Sequence, residues 1–139
     1  MATAFPPVIA RRVVAHRASG RPLTIEFGRP TRAPSGEYRC DYRLSGVGRV
    51  RRGYACGEDS LQALLLACES VRQALEPAAK DFEWTAPGEL GLYRIVPELF
   101  GPAASKRVNR QIDRLLTAEA RRAVASAKRR GKRPRQPSN

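Results

Sequence analysis

The stretch EYRCDYRL, residues 37–44, decides the fold class because its side chains alternate at every position. This period of two is typical of a β-strand with one buried face and one solvated face. The charged set that should face solvent is Glu37, Arg39, Asp41 and Arg43. The set that should face a core is Tyr38, Cys40, Tyr42 and Leu44.

Three further strands are predicted around this one, over residues 8–17, 23–27 and 49–56. Turn-forming residues separate the first two strands, which indicates a hairpin, and Gly46-Val47-Gly48 forms a tight turn before the last strand. In this last strand we expect Gly53 to mark a bulge that resets the register. The residues expected to point inward there are Val50, Tyr54 and Cys56.

A helix follows the fourth strand. Gly57 ends the strand, and Asp59 with Gln62 three residues later forms a capping box, so the helix is predicted over residues 60–76, before Pro77. Its apolar stripe should cover the inner face of the sheet. The stripe consists of Leu61, Leu64, Leu65, Cys68, Val71 and Leu75.

The second half of the chain contains an irregular segment and a last helix. Residues 82–100 are rich in apolar side chains but are interrupted by Gly and Pro, with a short strand expected near 82–85. A helix over about 103–128 follows.

The fold class is therefore α+β: an antiparallel four-stranded meander packed by one central helix, with an irregular segment and a basic C-terminal helix. We expect a disordered N-terminus over 1–7, a single domain over 8–128 and a disordered basic tail over 129–139.

The charge of the chain is concentrated at its C-terminal end. The 139 residues carry a net charge of +13, with 26 Lys and Arg against 13 Asp and Glu. Residues 106–135 contain twelve of these basic residues and only two acidic ones, Asp113 and Glu119. The rest of the chain is nearly balanced. A GC-rich genome explains the preference for Arg over Lys, but it does not explain this concentration.

The last helix is predicted to be amphipathic. At about 100° per residue, five of its basic residues fall within about 60° of one another and its apolar residues lie opposite, on a face that we expect to be packed. The basic face consists of Arg107, Arg110, Arg114, Arg121 and Lys128, and the cations continue through Arg129, Arg130, Lys132, Arg133 and Arg135. Aligned cations with a cationic tail indicate contact with a polyanion.

Nucleic acid is the leading candidate for this partner. No base-reading motif accompanies the cations, so we expect phosphate contacts with little sequence specificity. A solvated basic face, or contact with an acidic protein partner or an anionic surface, explains the same pattern. The runner-up function is a protein-interaction module, of the immunity or adaptor kind, which uses the outer sheet face or the segment Phe82–Phe100.

The sequence gives little support to an enzyme. The single His16 has no recognisable catalytic partner, and no motif indicates a metal or a cofactor.

Cys40, Cys56 and Cys68 follow no disulfide or metal pattern, so reduced thiols in the cytoplasm are expected. The sequence shows neither a signal peptide nor an apolar run long enough for a membrane span. The oligomeric state is left open.

The run from Gly53 to Glu69, which contains Gly-Tyr-Ala-Cys-Gly-Glu-Asp and an Ala/Leu-rich helix, resembles the centre of a small uncharacterised bacterial domain of unknown function. Gly28-Arg29-Pro30 adds to the resemblance, which spans about residues 8–100. It implies a fold unit and a bacterial origin. It implies no activity and no site residues.

Overall fold

A computed structural model describes residues 4–95 and 101–131. The chain divides into two compact units, residues 1–95 and residues 96–139. The second unit contains one described helix, α2 (Pro102–Gly131). The first contains β1 (Val8–His16), β2 (Pro22–Gly28), β3 (Thr31–Arg32), β4 (Tyr38–Ser45), β5 (Arg51–Gly57), α1 (Ser60–Leu75), a 3₁₀ helix (Glu76–Asp81) and β6 (Phe82–Glu83).

The strands form one antiparallel sheet. The four predicted strands, β1, β2, β4 and β5, lie side by side in chain order. Two short strands enlarge the predicted four-stranded sheet to six: β6 pairs with β1, and β3 pairs with β4 beyond the end of β2. The α+β class and the antiparallel pairing are confirmed.

Strand β4 has the two faces that its alternation predicts. Cys40 and Leu44 are buried, and Tyr38 and Tyr42 pack against the edge of the core. The charged residues of β4 therefore lie on the opposite, outer face of the sheet.

The predicted orientation of β5 is wrong. Val50, before the strand begins, is exposed, as are Tyr54 and Cys56, and no bulge interrupts the pairing between Tyr38–Gly57 and Leu44–Arg51. The inner face carries Gly53, Ala55 and Gly57 instead. These small residues are needed because the neighbours come close: a Cβ atom on Gly53 would overlap the ring of Tyr42, and one on Gly57 would lie 2.5 Å from the backbone nitrogen of Ala63.

Helix α1 begins at the predicted N-cap, Asp59, but the return hydrogen bond of Gln62 reaches the residue before the cap. The Asp59 carboxylate accepts a hydrogen bond of 2.8 Å from the Gln62 backbone N–H, and Gln62 Oε1 accepts one of 2.6 Å from the Glu58 N–H. The end of α1 at Leu75 also agrees, within one residue, with the predicted stop before Pro77.

The buried face of α1 is rotated from the predicted stripe. Leu61 and Leu65 are exposed, whereas the face against the sheet is Ala63, Ala67, Val71 and Leu75. Leu64 and Cys68 flank this face, half-buried. The two alanines are fully buried because α1 lies close to β5, where Gly57 approaches the backbone of Ala63. The size of the residues therefore decides which face of α1 lies against the sheet. Hydrophobicity alone does not reveal that face.

Within residues 4–95 and 101–131, neither helix combines the length and the apolar character needed to cross a membrane.

Candidate nucleic-acid interface

Helix α2 is long and regular. Pro102 occupies its first turn, where a missing N–H costs no hydrogen bond, and the Ser105 N–H donates to the Gly101 carbonyl at 3.1 Å. Alanine and arginine dominate the sequence that follows, and both are strong helix formers. The helix runs for 30 residues.

Five of the sequence-predicted site residues lie on one face of α2. All five are exposed, and over the 21 residue steps that separate the first from the last the helix rises about 31 Å. Within the described helix, no ion pair involves them, since the one carboxylate in a salt bridge, Glu119, binds Arg122 at 2.6 Å. These residues are Arg107, Arg110, Arg114, Arg121 and Lys128.

The C-terminal end of α2 adds further cations. Lys128, Arg129 and Arg130 occupy the last turn, where positive charge stabilises the negative end of the helix dipole. Lys132, Arg133 and Arg135, also predicted as site residues, lie outside the described residues.

The apolar side of α2 was expected to be packed. Within α2 itself the large side chains of this side, Val108, Ile112, Leu115 and Leu116, are exposed. An amphipathic period shows that one side of a helix favours an apolar neighbour. It does not show that this neighbour belongs to the same chain.

The first unit carries a second group of cations on the outer face of the sheet. Glu26, which is buried on β2, accepts hydrogen bonds of 2.8 Å from Arg11 on β1 and from Arg43 Nε on β4. The hydrogen bond from Arg43 holds the pKa of Glu26 below its ordinary value, with a smaller contribution from Arg11. This cluster is therefore structural, and it fixes three strands to one another.

A cleft of about 810 Å³ lies beside this cluster, and the sequence analysis did not predict it. The N-terminal segment forms one wall, where the Arg29 N–H donates to the Pro7 carbonyl at 2.8 Å and the Arg43 guanidinium lies 4.6 Å from the centroid of the Phe5 ring. The lining includes Phe5, Arg32, Arg39, Asp41, Arg52 and Tyr54.

One aromatic ring of the cleft is held in place by its neighbours. The Arg39 guanidinium lies 3.8 Å from the centroid of the Tyr54 ring, and Arg39 in turn donates hydrogen bonds of 3.1 and 2.7 Å to Asp41. The hydrogen bonds to Asp41 raise the pKa of Arg39, so its charge is permanent. Sequence reasoning missed Tyr54 because the predicted bulge placed it on the wrong face of β5.

Residues 9–94 match the domain of unknown function DUF6968, and the chain belongs to this family. The match agrees with the predicted resemblance to an uncharacterised domain over about residues 8–100. It covers the sheet and α1 and ends before α2. No curated protein and no solved structure matches the chain.

Proposed function

We propose that this protein is a non-enzymatic binding module for nucleic acid, which it holds through the basic face of α2 with little sequence specificity. The observation that supports this proposal is the alignment of five exposed cationic side chains along about 31 Å of helix. A linear array of cations suits a linear polyanion, because successive cations can each contact a different phosphate.

The driving force in this proposal is the release of counterions. Each Lys or Arg that contacts a phosphate displaces condensed cations from the nucleic acid, and this gain is independent of sequence. Four of the five residues are Arg, whose planar guanidinium can donate two hydrogen bonds to one phosphate. A cytoplasmic location, where free thiols such as that of Cys56 stay reduced, is part of the same proposal.

The test compares two double variants of equal charge. Arg110→Glu with Arg114→Glu reverses two residues on the basic face, whereas Lys106→Glu with Arg122→Glu reverses two residues to either side of it. Fluorescence anisotropy with labelled duplex DNA and RNA should show a loss of at least tenfold for the first pair and a clearly smaller loss for the second. Circular dichroism confirms that both remain helical.

Two results would overturn the proposal. Equal losses for the two variants would show that net charge alone attracts nucleic acid. Wild-type binding weaker than about 10⁻⁴ M at physiological salt, the weak end of ordinary non-specific affinity, would remove the function itself.

The runner-up, a protein-interaction module, is favoured by the exposed apolar side of α2 and by the exposed Trp84 and Tyr93. A basic amphipathic helix can also dock in the groove of an acidic protein. The variant Leu115→Ser with Leu116→Ser separates the two functions. The nucleic-acid proposal expects its affinity for DNA and RNA to stay within about twofold of wild type, whereas docking of the apolar side predicts that contact with a partner is lost.

A further inference from the structure

We infer that the cleft on the outer sheet face takes one nucleotide of a single-stranded nucleic acid, with the base on the open face of Tyr54 and the phosphate on Arg32 and Arg52. This inference names a substrate class for the proposed function and rests on that function. The cleft lies entirely in the first unit.

The Tyr54 ring is ready to stack with a base. Arg39 lies over one face of the ring and is itself hydrogen-bonded to Asp41. The residue is nevertheless 55% exposed, so a flat ligand can reach it. A ring that already rests against a hydrogen-bonded guanidinium has less conformational entropy to lose when a ligand stacks on it, which favours binding.

The charges of the cleft favour an anion. Asp41 neutralises Arg39, but neither Arg32 nor Arg52 forms an ion pair in the described part of the chain. Arg32 Nε donates to the Gly36 carbonyl at 3.3 Å, which orients its guanidinium and leaves the terminal nitrogens for another acceptor. Phosphate oxygens are acceptors that suit this geometry and charge.

The stacking surface selects a single strand. In a duplex both faces of a base are covered by its stacked neighbours, so only an unpaired base can lie against an aromatic side chain. The volume of about 810 Å³ lies within the range of ~300–1,000 Å³ that is usual for ligand clefts. Phe5 contributes a second aromatic side chain to the same cleft, fixed beneath Arg43.

The experiment measures the affinity of the full chain for a single-stranded oligonucleotide and for the duplex of the same sequence. Tyr54→Ala should weaken single-strand binding about five- to one-hundredfold, which is the loss of affinity expected when one base no longer stacks on an aromatic ring. Duplex binding should stay within about twofold of wild type. Tyr54→Phe keeps the ring and should restore single-strand binding. Tyr93→Ala removes a tyrosine that is 80% exposed and lies outside the cleft, so it should change neither affinity.

A pair of neighbouring arginines tests the phosphate contact. Arg52 pairs with Arg43 and lies on the outer face, whereas Arg51 pairs with Leu44 and lies on the inner one. Arg52→Ala should weaken single-strand binding several-fold, and Arg51→Ala should not. Equal effects of the two substitutions would contradict the inference.

An alkylation assay gives a readout that needs no substitution. Cys56 is exposed and is the cross-strand partner of Arg39, whereas Cys40 and Cys68 are less accessible. A saturating single-stranded oligonucleotide should slow the labelling of Cys56 by iodoacetamide several-fold, and the duplex should slow it less. Equal protection by both would count against the cleft as the single-strand site.

A free nucleoside monophosphate tests whether the ligand of the cleft is a nucleotide within a strand or a free nucleotide. It should bind far more weakly than the oligonucleotide, because it offers only one base and one phosphate; equal affinity would contradict a single strand as the ligand. If Tyr54→Ala leaves both affinities unchanged while Arg110→Glu with Arg114→Glu weakens them, the proposed function stands and this inference fails. If the wild type binds neither strand nor duplex, the proposed function fails with it.

Discussion

Glu26 and Arg43 face each other across β2 and β4, and the carboxylate of this pair is only 6% exposed. Arg11, from β1, binds the other carboxylate oxygen at 2.8 Å. The three residues thus connect three strands on the outer face, and the Arg43 side chain also supports Phe5 at the wall of the cleft. Arg43 therefore connects the structural ion cluster to Phe5 at the wall of the candidate cleft.

Arg43→Ala should destabilise the protein by about 2–4 kcal/mol, because it leaves a buried carboxylate with only one cationic partner. Arg39→Ala is the matched control. Its partner Asp41 is more exposed than Glu26, so the loss should be below about 1 kcal/mol. Urea unfolding measures both free energies, and equal losses would show that Glu26 does not depend on Arg43.

Acid should weaken the fold through Glu69 in particular. Hydrogen bonds from Arg72, with smaller contributions from Gln73 and the Ile95 N–H, lower the pKa of Glu69 to about 2 from its ordinary 4.5. The unfolded carboxylate binds a proton more readily than the folded one. The stabilisation is therefore fully present above about pH 4.5 and is lost as the pH falls towards 2.

The variant Arg72→Gln tests this assignment. It removes the main cause of the low pKa, so the free energy of unfolding should fall less steeply between pH 5 and pH 2 than in the wild type. Unfolding by urea at a series of pH values gives both curves. Parallel curves would mean that Glu69 contributes nothing to the acid sensitivity.

The orientation of α1 predicts losses of stability of different size at two nearby positions. Ala67 is fully buried against the sheet, so Ala67→Leu should overpack the core and cost about 1–3 kcal/mol. Leu65 is 41% exposed, so Leu65→Ala should cost less than about 1 kcal/mol. Thermal unfolding distinguishes the two. A larger loss for Leu65→Ala would restore the stripe that hydrophobicity alone predicts.

The cysteines should react at very different rates. Burial raises the pKa of Cys40 to about 11 and also raises that of Cys68, whereas Cys56 is exposed on the outer face. Because the thiolate is the reactive form, iodoacetamide at pH 8 should label Cys56 first, Cys68 more slowly and Cys40 only on unfolding. Mass spectrometry follows the three sites. Rapid labelling of Cys40 in the native protein would contradict the packing of β4.

The elements of the fold follow from local patterns, but their orientations do not. The alternation of residues 37–44 and the cap at Asp59 are local signals, and both are found in the structure. In β5, two adjacent residues are candidates for the inner face of the sheet. Hydrophobicity favours Tyr54, whereas the space available favours Ala55. The close approach of α1 decides between them, and that contact is not visible along the chain.

The two candidate binding surfaces, the basic face of α2 and the cleft of the first unit, differ in how far the sequence predicts them. The basic face of α2 arises from one helical period, so its five residues, of which Arg107 is the first and Lys128 the last, could be placed on it from sequence. The cleft brings Phe5 beside Arg43 and Tyr54 beside Arg39, through pairings far apart in the chain. No sequence pattern marks those contacts, because they depend on the register of the sheet and on the path of the N-terminal segment.

The dependence of duplex affinity on salt tests the central proposal most directly. If the five residues on the face of α2 each contact a phosphate, the logarithm of the binding constant should fall with the logarithm of the salt concentration with a slope of about −4 to −5. Arg110→Glu with Arg114→Glu should reduce that slope by about 2, because two contacts are lost. A wild-type slope near zero, or a slope that this variant leaves unchanged, would contradict phosphate contact by α2.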